Sequence, residues 1–481
     1  FVNSHSHLRW MSISTTLCNV SRNVREDWCV YIITGITEGQ EDLNGVLLIT
    51  FWEHLNELSA EFNEDGRFTV FPGWEWSGNT GLGGDRNVLH MQEGRQIHRS
   101  SHALVNDLSD VTTDSNSAAD LFQDLKGEDC TVFAHIGGRY ADIKMAHDNQ
   151  LERSVEVHSA WGTFEWLIHD AFEQGYRVGI LANSDGHKGR PGASHPGATK
   201  FGSYGGLSCM LAPEHSRAGI MEALRKRHHY GTTGCRMVLD ARVHFDNPAE
   251  LFAEDPNLGD TTSDMVSEAM MGDILRSDDG EVTFRIDVHA SSPIERIDVR
   301  NGLETVEVVR PYTEIDLGRR IRVLWEGSEY RGRGRETIWD GNAVLVGNTF
   351  ERLDVINRYN LDKRFDQTGP DRIEWTALTT GGFGGFDAWL DDPQGGKLTI
   401  DTELVKETIS IADIGYDEMI FENGGIDRRI RIFRLPDENP HTTATVERRI
   451  KLADDRDNAL YVRITQEDGH FIWSSPTYIF R

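Results

Sequence analysis

The sequence predicts two unlike halves: an α/β region with a parallel sheet covered by helices, then a mostly β, sandwich-like region. Three observations carry this. The chain has 481 residues, more than one hydrophobic core usually organises. Up to about residue 240, short apolar runs alternate with amphipathic ones, as strands alternate with helices in a parallel sheet, open or closed into a barrel. Beyond that point the apolar period becomes two and long helical patterns are few.

The strand-like runs of the first half are 28–34, 68–71, 87–91, 131–134, 154–157, 178–182 and 206–211. Helices are expected over 117–126, where Leu121 and Leu125 lie four apart ahead of Gly127, and over 164–174, where Leu167, Ile168 and Phe172 share a face ahead of Gly175. A third is expected over 217–227. In the second half, Val282 to Val288 alternates apolar and polar residues, as a half-buried antiparallel strand does. The runs 294–299, 321–325, 430–433 and 460–464 repeat that theme. The acidic, poorly periodic stretch between reads as a linker or excursion. The expected domains are therefore 1–245, a linker over 246–280, and a β-rich domain over 281–481.

Composition narrows the function. With 78 acids against 49 Lys and Arg, the net charge is −29. Such a surface repels phosphate backbones and anionic lipid, so neither nucleic acid nor a membrane is an expected partner. Five cysteines, irregularly spaced and without a Cys-x-x-Cys pair, are neither a disulfide scaffold nor a zinc ribbon. The expected protein is soluble, cytoplasmic or periplasmic, and its opening on Phe1 rather than Met leaves room for an N-terminal segment ahead of it.

Histidine is the informative residue: 16 of the 19 lie before residue 246. His5 and His7 form an H-x-H pair, and in a strand two such imidazoles can reach one metal ion. Glu75 sits between Trp74 and Trp76, an awkward place for a carboxylate without a cation or donors; the plainer reading is a Glu turned outward between two buried rings. His135 ends an apolar run before Gly137 and Gly138, and either lines a site or is a core histidine bonded to backbone. Glu156 and His158 are again two apart; Glu156 could orient a ligand or bind metal. The sharpest local signal is Ser184-Asp185-Gly186-His187, where a strand runs into a turn that lets two ligand-type side chains converge. Together these residues open or end separate strands. Imidazoles with carboxylates favour zinc, manganese or iron over calcium.

These motifs resemble the PHP (polymerase and histidinol phosphatase) superfamily. The stretches Pro72 to Asn79, Gly84 to Val88, Asp185 to Gly192, Tyr204 to Leu207, Tyr230 to Gly234, Glu329 to Gly334 and Gln466 to His470 look like a large, little-characterised branch of it with a C-terminal β domain. The resemblance implies a distorted (β/α)7 barrel, a metal cluster at its mouth and phosphoester hydrolysis. It implies metal ligation by His5, His7, Glu75, His135, Glu156, Asp185 and His187, with one or two divalent transition-metal ions. His187 is then a candidate acid, and Arg86 or Arg139 a candidate holder of a small anionic substrate, although either arginine could equally make a structural salt bridge. His54 reads as a surface residue and His90 as a further possible ligand. One departure stands out: where the superfamily has Thr-Asp-His, this chain has Thr34-Gly35-Ile36. The expected activity is that of a metal-dependent hydrolase, a phosphoesterase first. The alternatives are hydrolysis of a glycan or amide at the same metals, or a non-catalytic binding protein with a decayed site. The β-rich half, poor in His and Cys, is expected to hold no catalytic residue.

Overall fold

The computed structural model describes residues 9–15, 29–37, 46–103, 108–186, 203–332, 334–358 and 363–481, with side chains from residue 52 onward. The first half contains strands β1 (Arg9–Thr15), β2 (Cys29–Thr37), β3 (Val70–Ser77), β4 (Asp85–His90), β5 (Cys130–Ala134), β6 (Ser154–Ser159), β7 (Gly162–Thr163), β8 (Gly179–Ala182), β9 (Leu207–Ala212) and β10 (His229–Thr232). Its helices are α1 (Val46–Phe62), α2 (Ala118–Asp124), α3 (Trp166–Glu173) and α4 (Arg217–Arg225). The expected helices are those the apolar spacing marks. Ser117 and Ser216 cap α2 and α4 by accepting a backbone N–H.

The expected (β/α)7 barrel is not what forms. Strand accounts for 47% of the structure and helix for 12%, with four α-helices among the described residues. Strands β1–β2, β2–β3, β5–β6 and β6–β8 do pair in parallel. However, β4 pairs antiparallel with both β3 and β5, and β9 pairs antiparallel with both β1 and β10. Helices α2 and α4 thus lie between antiparallel strands, and no helix joins β5 to β6. Apolar periodicity marks a strand but is blind to its direction, which is why alternation read as a parallel sheet.

The two faces of β3, β4 and β5 differ. Trp74, Trp76, Val88 and Val132 pack on one side against Trp52 of α1 and Leu121 and Leu125 beside α2. On the other side Phe71, Leu89 and Phe133 join Leu181, Met210 and the α4 residues Ile220 and Leu224. Strand β8 is squeezed between neighbours: a Cβ on Gly206 or Gly231 would come within 2.8 Å of the Ala182 backbone. That close approach explains the Tyr204-Gly205-Gly206 and Tyr230-Gly231 motifs.

The second half is β throughout, and it is built into the first. The strand Val238–Phe252 runs across the expected boundary and pairs with Ser263–Met270 and Glu281–His289. About half of the stretch expected as a linker or excursion is therefore strand. Phe471–Ser474 pairs with β10. Two five-stranded antiparallel sheets, one centred on Arg320–Ser328 and the other on Gly341–Val346, share a core that includes Trp325, Trp339 and Trp375. This is the sandwich-like part. No helix among the described residues is long and apolar enough to cross a membrane.

Candidate functional site

Side chains alternate across a strand, so the register decides what meets. Glu75 lies opposite Asn87, and Ser77 opposite Asp85, in the β3–β4 pair. On this face Phe71, Leu89 and Phe133 form an apolar plug towards one end, and Glu75, Asp85 and His135 gather at the other. Glu156 of β6 and Asp185, beyond β8, complete the group. All five are buried.

His135 is the hub. Its Nδ1 is 2.7 Å from Glu156 Oε1, and its Nε2 is 3.2 Å from Asp185 Oδ2 and 3.9 Å from Glu75 Oε1. Burial disfavours its charged form, but Glu156 and Asp185 overcome this and raise the imidazole well above its ordinary range. Glu156 is held from its other oxygen by the Asn183 side-chain amide at 2.5 Å. Burial, with Asp85 and Asp185 close by, pushes Glu75 up to about 8, against the pull of His135 and Arg139. Burial likewise raises Asp85, while Arg139 pulls it down. Arg139 donates to Asp85 through its backbone N–H (3.2 Å) and Nε (2.8 Å). Asp185 adopts φ +43°, in the left-handed region, a conformation that aspartate tolerates better than most residues. Gly137 gives the cluster its room: a Cβ there would lie 3.0 Å from both Asp85 Oδ2 and His135 Nε2.

Of the residues singled out in the sequence, Glu75, His135, Glu156 and Asp185 come together. Arg139 borders them through Asp85. Arg86 does not. It alternates with Asp85 and points to the opposite face, where its Nε meets Glu152 at 2.5 Å and its other nitrogens donate to the carbonyls of Gly83 and Ala146. Its assignment as an anion holder is thereby corrected: its guanidinium is buried on the far face, against Glu152 and two backbone carbonyls. His90 shares that outer face and accepts from Trp74 Nε1 at 3.4 Å, so it is no ligand of the cluster. His54 is exposed on α1, near Glu57. His158 bonds Thr163 Oγ1 and the Tyr204 carbonyl, and burial drives it down to about 3. A register shift between Glu156 and His158 separates the two. His5, His7 and His187 lie outside the described residues. The Thr34–Thr37 stretch does run beside the site: Thr37 pairs with Glu75 across a register irregularity that begins at Thr34.

Two members of the cluster went unread in the sequence, Asp85 and Asn183. The signal for Asp85 was its parity with Asn87 and Leu89, legible only once β4 is known to run antiparallel to β3.

Residues 181–314 match a family. Its description is "Protein of unknown function (DUF3604)". The match takes in Asn183 and Asp185 but not Glu75, His135 or Glu156. An uncharacterized protein of Chlamydia pneumoniae is 24% identical over 229 residues, which are 43% of this chain and 34% of that protein. One of Chlamydia trachomatis is 22% identical over 275 residues, 50% of this chain and 42% of its own length. The matched stretches are thus well under half of these curated relatives. A solved two-domain protein from Bacteroides vulgatus, described as containing a predicted PHP-like metal-dependent phosphoesterase, aligns over 84% of this chain and 96% of that one, with a TM-score of 0.30 and 10% identity. A likeness at that level transfers no chemistry.

Among the described residues, no group of three or more His, Cys, Asp or Glu stands in the arrangement of a metal centre. The donor chemistry nonetheless fits a divalent cation. Four buried carboxylates, Glu75, Asp85, Glu156 and Asp185, surround one imidazole, and His135 with Arg139 offsets only part of that charge, so Glu75 is still pushed up to about 8.

Proposed function

We propose that the chain is a metal-dependent hydrolase, a phosphoesterase in the first instance. The observation that carries this is the buried gathering of Glu75, Asp85, Glu156 and Asp185 about His135 at one end of a sheet face whose other end is plugged by Phe71, Leu89 and Phe133. Glu75, His135 and Asp185, each from a motif that resembles the PHP superfamily, are members of that gathering. Glu75, His135 and Asp185 would hold the metal, with Glu156 and Asn183 fixing the His135 ring from behind. A bound divalent transition metal supplies Lewis acidity and a water of lowered pKa. The chain's own part is orientation: Asp85 holds Arg139 in place, and Gly137 keeps the space beside His135 open.

The test is metal analysis of the purified chain, followed by turnover assays on phosphomonoesters and phosphodiesters, with glycan and amide substrates in parallel. Retained zinc, manganese or iron with phosphoester turnover, both lost in His135→Ala, is the expected result. Turnover confined to glycans or amides would move the substrate class, and a chain that takes up no metal would defeat the reading.

A further inference from the structure

The segment that follows the strand Arg320–Ser328 leaves the sandwich and lies on the first half. Arg331 makes a two-pronged pair with Asp170 of α3, at 2.7 and 3.0 Å, and sits over the Trp166 ring. Gly332 lies against Tyr140. Arg335 then enters the molecule. It is 5% exposed, its guanidinium packs over Trp161 and Phe164, and its Nη2 donates to the Gly137 carbonyl at 2.5 Å. Gly137 is the residue whose Cβ position touches Asp85 and His135, so the guanidinium stands at the edge of the carboxylate cluster. The Nη1 of Arg335 is buried without a hydrogen-bond partner among the described residues.

A buried cation normally spends every donor, because an unpaired N–H there forfeits its hydration. Arg86 differs in having a carboxylate beside it: Glu152 lies 2.5 Å from its Nε, and its other nitrogens donate to the Gly83 and Ala146 carbonyls. Arg335 has its ring stack and one anchored nitrogen, and it holds a second nitrogen unspent. A guanidinium fixed in this way offers a preset donor to an oxyanion.

We propose that Arg335, from the β-rich half, contacts the substrate by binding a phosphoryl oxygen beside the Glu75–His135–Asp185 cluster. This rests on the hydrolase reading of that cluster and names the chemistry it recognises. It gives the β-rich half a part in the site, against the expectation that a region poor in His and Cys has none. It also gives the Glu329 to Gly334 motif a purpose, since that segment carries Arg335 into place.

The experiment is calorimetric titration of the whole 481-residue chain, manganese-loaded and metal-free, with inorganic phosphate and separately with acetate. The manganese-loaded wild type binds phosphate in preference to acetate. Arg335→Lys keeps the charge but not the fork and weakens phosphate by about tenfold, and Arg335→Met weakens it further. Metal content and melting temperature stay near wild type in the Lys variant, which carries the test if the Met variant folds poorly. Unchanged phosphate affinity in Arg335→Lys and Arg335→Met, no phosphate binding by the wild type, or acetate bound as tightly as phosphate would each overturn the proposal. The two readings separate cleanly. Phosphate binding that depends on Arg335 in a chain that takes up no metal defeats the hydrolase reading alone. Metal uptake and turnover with phosphate binding indifferent to Arg335 defeat this proposal alone.

Discussion

His229 makes the pH dependence of folding calculable. It is wholly buried at the start of β10. Its Nε2 meets Ser154 Oγ at 2.9 Å, and its Nδ1 lies 3.1 Å from the Ile180 carbonyl and 3.2 Å from Ser475 Oγ. Burial, with Arg227 and His228 adding to it, drives its pKa down to about 3, although the Ile180 carbonyl pulls the other way. In the unfolded chain the same ring titrates near 6.5. Above that value both states are neutral and the group has no effect. As pH falls below it the unfolded chain binds the proton and the folded chain does not, so stability is lost by about 1.4 kcal/mol per unit. Between pH 7 and pH 5 the loss from this one residue is about 2 kcal/mol.

The assay is urea unfolding of wild type and His229→Gln at pH 7, 6 and 5. Glutamine keeps a donor and an acceptor but does not titrate. The variant is less stable at pH 7, yet its stability should fall about 2 kcal/mol less than wild type's on going to pH 5. Part of the acid slope survives in the variant, because burial also holds His158 down to about 3 and His90 down to about 4. Parallel pH profiles for the two proteins would refute the reasoning, since they would mean that His229 is protonated in the folded state or never desolvated.

Other outcomes follow from particular contacts. Arg322, fully buried, is held by Glu295, by Asp387 at 2.7 Å and by the Glu467 carbonyl at 2.7 Å; Arg322→Ala should cost about 3–5 kcal/mol in denaturant unfolding, and a loss below about 1 kcal/mol would contradict the pairing. Gly137→Ala pushes a methyl to within 3.0 Å of Asp85 Oδ2 and His135 Nε2; it should lower stability by about 1–3 kcal/mol and reduce retained metal, checked by melting and elemental analysis. Glu75→Gln should cut metal affinity at neutral pH by at least about tenfold, while Arg86→Met should leave metal affinity unchanged in whatever fraction folds, since Arg86 faces the other way.

Much of this was legible in the sequence, for reasons that can be named. Leu121 and Leu125, or Leu167, Ile168 and Phe172, mark helices because a helical face repeats every three to four residues. Val282 to Val288 marks a strand because its faces alternate. Glu75, His135, Glu156 and Asp185 were visible as carboxylates and imidazoles set at strand ends. What was not visible depends on direction and on long-range pairing. Nothing local says that β4 runs back along β3; that reversal brings Asp85 to the end of the face where Glu75 lies, and alternation along β4 turns Arg86 to the other face. Arg335 was hidden for a second reason: the arginines singled out, Arg86 and Arg139, lie close in sequence to the candidate ligands, and Arg335 lies in the half poor in His and Cys.

The site belongs to neither half alone. Strand β8, which leads into Asn183 and Asp185, has β6 along one side. Along the other, hydroxyl groups do what a neighbouring strand would do. Val178 N–H donates to Tyr478 Oη at 2.8 Å, Ile180 N–H to Ser475 Oγ at 3.0 Å, and Ala182 N–H to Ser208 Oγ at 3.0 Å. Tyr478 Oη also donates to the Val178 carbonyl at 2.7 Å. Backbone groups buried without partners are costly, so these side chains are conditions for β8 to exist as a strand. Two of the three come from the last few residues of the chain. The same region closes over α3, where Trp473 Nε1 donates to Glu165 at 2.6 Å and Arg463 pairs with the same carboxylate at 2.7 Å. Arg335 likewise reaches from the second half to the Gly137 carbonyl, beside the cluster. The geometry at Asp185 is therefore set by residues some three hundred positions away in sequence, and the β-rich half is part of the structure that holds the carboxylates in place.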